Sequence, residues 1–207
     1  MDLRQTFGTI DIYLFDQLLK GTLTPEMKLL DAGCGDGRNL VYFLRGGFDL
    51  YAVDQSERAI TEVRRLATEI APALAADHFL VEPVESLSFE DSTFDYVISS
   101  AVLHFARDET HWQSMLREMW RVLKGGGTLF ARLASEIGIE DRIQRIEGRR
   151  FHLPDGSDRF LVDIEMLERA KSDLGAELLE PIKSVLVHER RSMTTWVLRK
   201  SPLAARN

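Results

Sequence analysis

Seven residues near the amino end concentrate the chemistry of this chain. Asp31-Ala32-Gly33-Cys34-Gly35-Asp36-Gly37 follow the apolar run Lys28-Leu29-Leu30 and precede a segment of helical length. In a strand, loop and helix unit, glycines let the backbone approach a ligand closely, and the helix start offers unpaired N–H groups. Such a loop is built to receive a nucleoside cofactor. Its spacing narrows the choice, because Gly33, Gly35 and Gly37 make G-x-G-x-G, whereas a dinucleotide fingerprint needs Gly or Ala at position 38, where Arg38 stands. Asp31, just ahead of the glycines, suits a cationic ligand better than a pyrophosphate. Asp54 ends the next apolar run, where a carboxylate can accept hydrogen bonds from both ribose hydroxyls.

The remaining reactive side chains are sparse. Cys34 is the one cysteine, which rules out an intrachain disulfide and a four-thiolate zinc site and fits a reducing cytoplasm. The five histidines are scattered without paired metal-ligand spacing, so no metal is expected. A formal charge of -7 gives no basic footprint for a phosphate backbone, and nucleic acid is disfavoured as a partner. No apolar run approaches the roughly 20 residues that span a bilayer, and the first residues do not read as an export signal.

The elements that position these residues alternate. Short apolar runs at 28–32, 50–54, 77–81, 94–99 and 127–133 read as buried strands. Helical segments lie between them, at 56–71, stopped by Pro72, and at 109–123, where Trp112, Met115, Leu116, Met119 and Leu123 recur at helical spacing. Alternating strands and helices imply a parallel, doubly wound sheet. Beyond residue 134 the spacing predicts a charged stretch, a hairpin around Pro154-Asp155-Gly156, a helix over 162–174, and two strands, 178–188 and 193–199, that pair as an antiparallel hairpin. Residues 1–20 carry an apolar-rich helix. At 207 residues the chain fits one domain of ordinary size.

Five ordered segments carry a resemblance to the class I S-adenosylmethionine (SAM) dependent methyltransferases: Leu30 to Asn39, Ala52 to Ser56, Val84 to Phe89, Phe94 to Ile98, and Arg121 to Gly127. Within that family the Gly-Arg-Asn ending of the loop looks like small bacterial enzymes acting on small molecules, including the tellurite-resistance type. The resemblance implies a Rossmann-like α/β fold with a seven-stranded, mostly parallel sheet, parallel strands in the order 3-2-1-4-5, and the C-terminal antiparallel hairpin at its edge. It implies methyl transfer from SAM to a small-molecule acceptor. The alternatives are a non-enzymatic SAM-binding module and an NAD(P)-dependent oxidoreductase.

By the same resemblance, Asp31, Gly33, Cys34, Gly35 and Arg38 hold the methionine part of SAM, and Asp54 holds the ribose. Gln55, Val84, Glu85 and Ser99 line the rest of the cofactor site; Ser56 either joins them or caps the next helix. The family commonly has Gly-Asp-Ala before the adenine, but here the residues are Glu82-Pro83-Val84, so adenine recognition leans on the Val84 backbone N–H. His104 is the candidate general base and a substrate-side residue, with packing beside Phe105 as its other reading. Tyr13 either lines the substrate side, within a lid, or packs with its helix on the sheet. The expected layout is a single methyltransferase domain over 1–207, divided into an N-terminal helix or lid (1–27), the SAM-binding core (28–134), a variable substrate-side insertion (135–161), and the C-terminal helix and hairpin (162–207). Arginines in the insertion form either an anionic-substrate cap or a solvated face with pairs such as Asp141 and Arg145. The chain is expected to act as a monomer or homodimer.

Overall fold

In a computed structural model that describes residues 2–202, the alternation seen in the sequence becomes a central sheet. Its parallel strands are β1 (Lys28–Ala32), β2 (Asp49–Asp54), β3 (Phe79–Val81), β4 (Phe94–Ser100) and β5 (Leu123–Ser135), and they stand in the order β3-β2-β1-β4-β5. Helices α4 (Glu57–Ile70) and α5 (Glu109–Val122) occupy the expected segments. Side chains alternate across the sheet as strand geometry requires. Leu30, Val97 and Leu129 join one apolar cluster with Trp112 and Met119, while their neighbours Leu29, Tyr96 and Phe130 join a second with Phe43 and Ile60. Both faces are therefore covered, as a parallel sheet requires.

The carboxy-terminal third adds more strands than expected. The run at 178–188 divides at Pro181 into β9 (Ala176–Leu178) and β10 (Lys183–Val187), because proline cannot donate to a ladder. Both pair with β11 (Arg191–Lys200), which lies antiparallel against β5, so the central sheet has eight strands rather than seven. Residues 144–160 form a separate antiparallel sheet of β6 (Gln144–Glu147), β7 (Arg150–His152) and β8 (Asp158–Phe160), with the expected turn around Pro154-Asp155-Gly156 between the last two. α6 (Ile164–Asp173) follows, started by the Asp163 side chain on the Met166 N–H.

The N-terminal segment is two helices rather than one. α1 (Leu3–Phe7) stops at Gly8, whose φ of 64° leaves helical space, and α2 (Ile12–Leu19) restarts at Asp11, which accepts the Tyr13 N–H. The short α3 (Val41–Arg45) completes the layer on that side. No helix among the described residues is long and apolar enough to cross a membrane.

Candidate functional site

The glycine loop leaves β1 under tight constraint. Gly33 and Cys34 both donate their N–H groups to the Val53 carbonyl, at 2.8 and 2.9 Å, which folds the loop back over the end of β2. Gly33 has φ of 83°, and a Cβ placed there would stand 2.6 Å from a Val102 methyl. Conformation and space both demand glycine. Gly35, at φ 54°, has nothing within 4 Å of where a Cβ would stand, so its backbone faces open space. Its N–H donates to Asp54 Oδ2 at 3.0 Å, while Asp54 Oδ1 takes the Ser56 N–H at 2.9 Å. Each oxygen keeps a lone pair for a ligand hydroxyl. Ser56 caps α4 through the Ala59 N–H, which settles its structural role.

Above this loop lies a cavity of about 460 Å³, within the range of small-molecule and cofactor sites. Eight of the expected residues line it, namely Gly33, Cys34, Gly35, Arg38, Asp54, Gln55, Val84 and Glu85. Pro83 sits among them, at a turn in which its carbonyl accepts the Ser86 N–H. The Glu82 carboxylate is turned away to the Ser88 N–H.

Four other expected residues stand elsewhere. Asp31 lies beneath the loop, 1% exposed, and neither carboxylate oxygen has a hydrogen-bond partner. Burial pushes its pKa up to about 7; the Arg38 guanidinium opposes this and the Asp54 carboxylate adds to it. Ser99 is fully buried with its hydroxyl unpartnered, and Ser100 lines the cavity in its place because strand residues alternate faces. Tyr13 lies under the Arg132 guanidinium, 4.8 Å from its ring centre. His104 is buried beside Phe105, with ring centres 4.6 Å apart, and lines a second, smaller cavity instead.

The His104 ring has a defined orientation. The Ala134 N–H donates to Nδ1 at 3.2 Å, so the neutral ring carries its proton on Nε2. Burial, with the charges of Arg159, Arg191 and Arg132, pushes its pKa down to about 3 and keeps the ring neutral.

Several cavity residues carried no strong sequence signal. Met115 supplies apolar wall with a spacing that marks it only as helix core, whereas Val102 and Phe105 come from the segment after β4 where the family resemblance puts the substrate. His111 enters from α5 with Nε2 3.0 Å from Glu85 Oε1 and Nδ1 accepting the Arg107 N–H. Its position on an amphipathic helix concealed it. Asp11 is buried, and its Oδ2 takes Arg132 at 2.6 Å and Arg38 at 3.4 Å. Arg38 also donates to the Ser100 hydroxyl at 3.0 Å, and Asn39 Oδ1 accepts the Asp11 N–H at 3.0 Å. The signal available for Asp11 was that of a helix cap ahead of Ile12–Leu19. Trp112 and Trp120 are buried packing residues.

In the 135–161 segment the expected Asp141–Arg145 pair does not form. Arg145 donates to the Gly148 carbonyl and lies over Phe151. Arg149 pairs instead with Glu136 and Asp163. No cluster of three or more His, Cys, Asp or Glu among the described residues is arranged to hold a metal ion.

The geometry fits a cationic nucleoside better than a dinucleotide. A buried carboxylate without a partner costs free energy that an ammonium would offset, and Asp54 retains acceptor capacity at the cavity wall. Comparison with known proteins agrees. Residues 30–131 match a family described as methyltransferase domain. The malonyl-(acyl-carrier protein) O-methyltransferase of Enterobacter lignolyticus is 31% identical over 53% of this chain and 40% of that protein. Overall, the chain spans less than half the length of the curated relatives it matches first. A SAM-dependent methyltransferase from Methanosarcina mazei superposes with a TM-score of 0.71 at 22% identity, covering 89% of this chain and 97% of that one. The 1,6-didemethyltoxoflavin-N1-methyltransferase of Burkholderia thailandensis, solved with 1,6-didemethyltoxoflavin and S-adenosylhomocysteine, superposes at 0.69 with 20% identity, covering 97% and 81%. At these identities the structural likenesses speak for the fold.

Proposed function

We propose that this chain, whose residues 30–131 match the methyltransferase domain family, is a class I SAM-dependent methyltransferase that transfers the methyl group of SAM to a small-molecule acceptor. The observation that carries this reading is Asp54, which lines the cavity and whose oxygens hold the glycine loop and the start of α4. Asp54 is matched to ribose hydroxyls, and Asp31, buried beneath the loop rather than in the cavity wall, acts on a cationic ligand through its charge. Bound there, SAM supplies an electrophilic methyl on a sulfonium, with a neutral leaving group.

The chain's own residues then have three tasks. Gly33 and Gly35 give the ligand close access to backbone, and Asp54 fixes its orientation, so that a nucleophile meets the methyl in line. Val102 and Met115 give the cavity an apolar wall, with the exposed Phe105 ring at its rim. Val84 and Glu85 border the end expected to take the adenine; Pro83 leaves the Val84 N–H as the donor there.

We place His104 on the acceptor side as a hydrogen-bond donor through Nε2–H rather than as a base, because its Nδ1 is committed to Ala134. The layout of an N-terminal segment to 27, a core to 134, a substrate-side insertion to 161 and a C-terminal helix and hairpin belongs to the same proposal. So does the cytoplasmic setting, which rests on the single cysteine.

A screen of small-molecule acceptors with methyl-labelled SAM tests the activity, labelled product being the expected result. Calorimetric titration with SAM and with NADH tests the cofactor. Tight SAM binding without label transfer to any acceptor would favour a SAM-binding regulatory module. NADH binding in preference to SAM would overturn the reading.

A further inference from the structure

Beside the cofactor cavity lies a second one of about 210 Å³. Arg38 and Ala101 line both, so the two cavities adjoin. Phe105 lines the first cavity, and the guanidinium of Arg159, which lines the second, lies 4.8 Å from its ring centre. Ala101 turns the corner after β4 with φ of 65°, a conformation non-glycine residues rarely adopt and one that concentrates at functional sites.

The charge on the second cavity is one-sided. Arg38, Arg132, Arg159 and Arg191 line it, against a single lining carboxylate, Asp155. Buried Asp11 offsets Arg38 and Arg132 from behind. Asp155 is engaged by the Ser157 N–H and hydroxyl and lies 3.8 Å from Arg191. Among the described residues Arg159 forms no ion pair, and its side chain donates to the Asp158 carbonyl. Arg132 Nε is buried without a hydrogen-bond partner. In a chain of net charge -7, this concentration of guanidinium on one cavity wall is unlike a solvated face of interspersed signs. His104 adds a neutral ring whose Nε2 carries a proton. Guanidinium groups beside a neutral N–H donor make a site for an oxyanion.

We propose that this second cavity anchors the methyl acceptor through an oxyanion, a carboxylate or a phosphate, held by Arg132, Arg159, Arg191 and the His104 Nε2–H. The body of the acceptor then passes over Ala101, which borders both cavities, into the cofactor cavity. This rests on the methyltransferase reading and narrows its substrate class to organic acids or phosphate esters. The carboxylate or phosphate serves as a handle, and the atom that receives the methyl lies elsewhere on the molecule.

The test is calorimetric titration of the protein, with and without saturating S-adenosylhomocysteine, by benzoate, phenyl phosphate and benzamide. Both acids, or one of them, are expected to bind at least tenfold more tightly than the neutral amide. Preference for benzoate assigns the handle as carboxylate, and preference for phenyl phosphate assigns it as phosphate. Arg159→Gln and Arg191→Gln are each expected to weaken acid binding at least tenfold, with Arg191→Lys recovering part of it. S-adenosylhomocysteine affinity measured on the same samples, expected within twofold of wild type, shows that each variant is folded. Acids binding no better than benzamide, or binding equally well to the glutamine variants, would overturn the proposal. Failure of wild-type protein to bind S-adenosylhomocysteine would count against the methyltransferase reading alone, since acid binding in its absence still decides this one.

Discussion

Asp54 Oδ2 accepts the Gly35 N–H at 3.0 Å, so the last residue of β2 holds the middle of the loop that leaves β1. The carboxylate thus shapes the cavity and also lines it. Asp54→Ala is expected to weaken SAM binding by more than tenfold, since hydrogen bonds to a charged group contribute about 1.5 to 3 kcal/mol. Calorimetry checks this, and unchanged affinity would remove Asp54 from the ribose assignment.

Asp31 should make cofactor affinity depend on pH. With its pKa raised to about 7 by burial, it is largely protonated in the ligand-free protein at pH 6, and a cationic ligand must drive the proton off. SAM affinity is therefore expected to rise between about pH 5.5 and 7.5, below the ordinary α-amino pKa near 8. Asp31→Asn should abolish that rise and weaken binding at pH 7.5.

The same group sets a stability trend of opposite use. An acid whose folded pKa exceeds its unfolded value near 3.9 binds more protons when folded, so ligand-free stability falls as pH climbs from about 4 to about 7. Asp31→Asn is expected to melt higher than wild type at pH 8 and close to it at pH 4. A thermal melt of both proteins across this range checks the sign.

Gly33→Ala should cost both stability and cofactor affinity, because the added methyl meets Val102 at 2.6 Å and the φ of 83° disfavours any side chain. Overpacking of this kind costs about 1 to 3 kcal/mol. Val102→Ala in the same chain removes the clash but leaves the backbone strain, so partial recovery of the melting temperature is the expected outcome. Full recovery would mean that the φ is unimportant.

Asp11→Ala leaves Arg132 without its 2.6 Å partner and Arg38 with only Ser100. Loss of a buried partner costs about 3 to 5 kcal/mol at full burial. Arg38 is 47% exposed and can turn to solvent, which places the expected loss nearer 2 to 3 kcal/mol by that same scale. Urea denaturation measures it.

The parallel strands and the glycine loop were legible in the sequence because each is a local signal. Apolar runs and fixed glycine spacing need no knowledge of the rest of the chain. Asp11, His111 and the arginine-lined cavity were not legible in this way. Asp11 meets Arg132 across 121 positions, and Arg159 reaches Phe105 only after the small β6–β8 sheet has formed. The extra strand β9 escaped because three residues ahead of a proline carry too little periodicity to separate from the run that follows. Ser99 and Ser100 show the limit of alternation, since one residue of register decides which hydroxyl meets the cavity.

The place of β11 bears on how this chain is made. It lies between β5 and β10, so the last described strand seals the long edge of β5. A nascent chain can pair β1 to β4 before β11 is made, but β5 keeps an open, apolar edge until residues 191–200 have left the ribosome. Open edges of that kind template pairing with other chains. The sheet is thus closed last by the strand made last, and its completion is a matter of synthesis order rather than of chemistry.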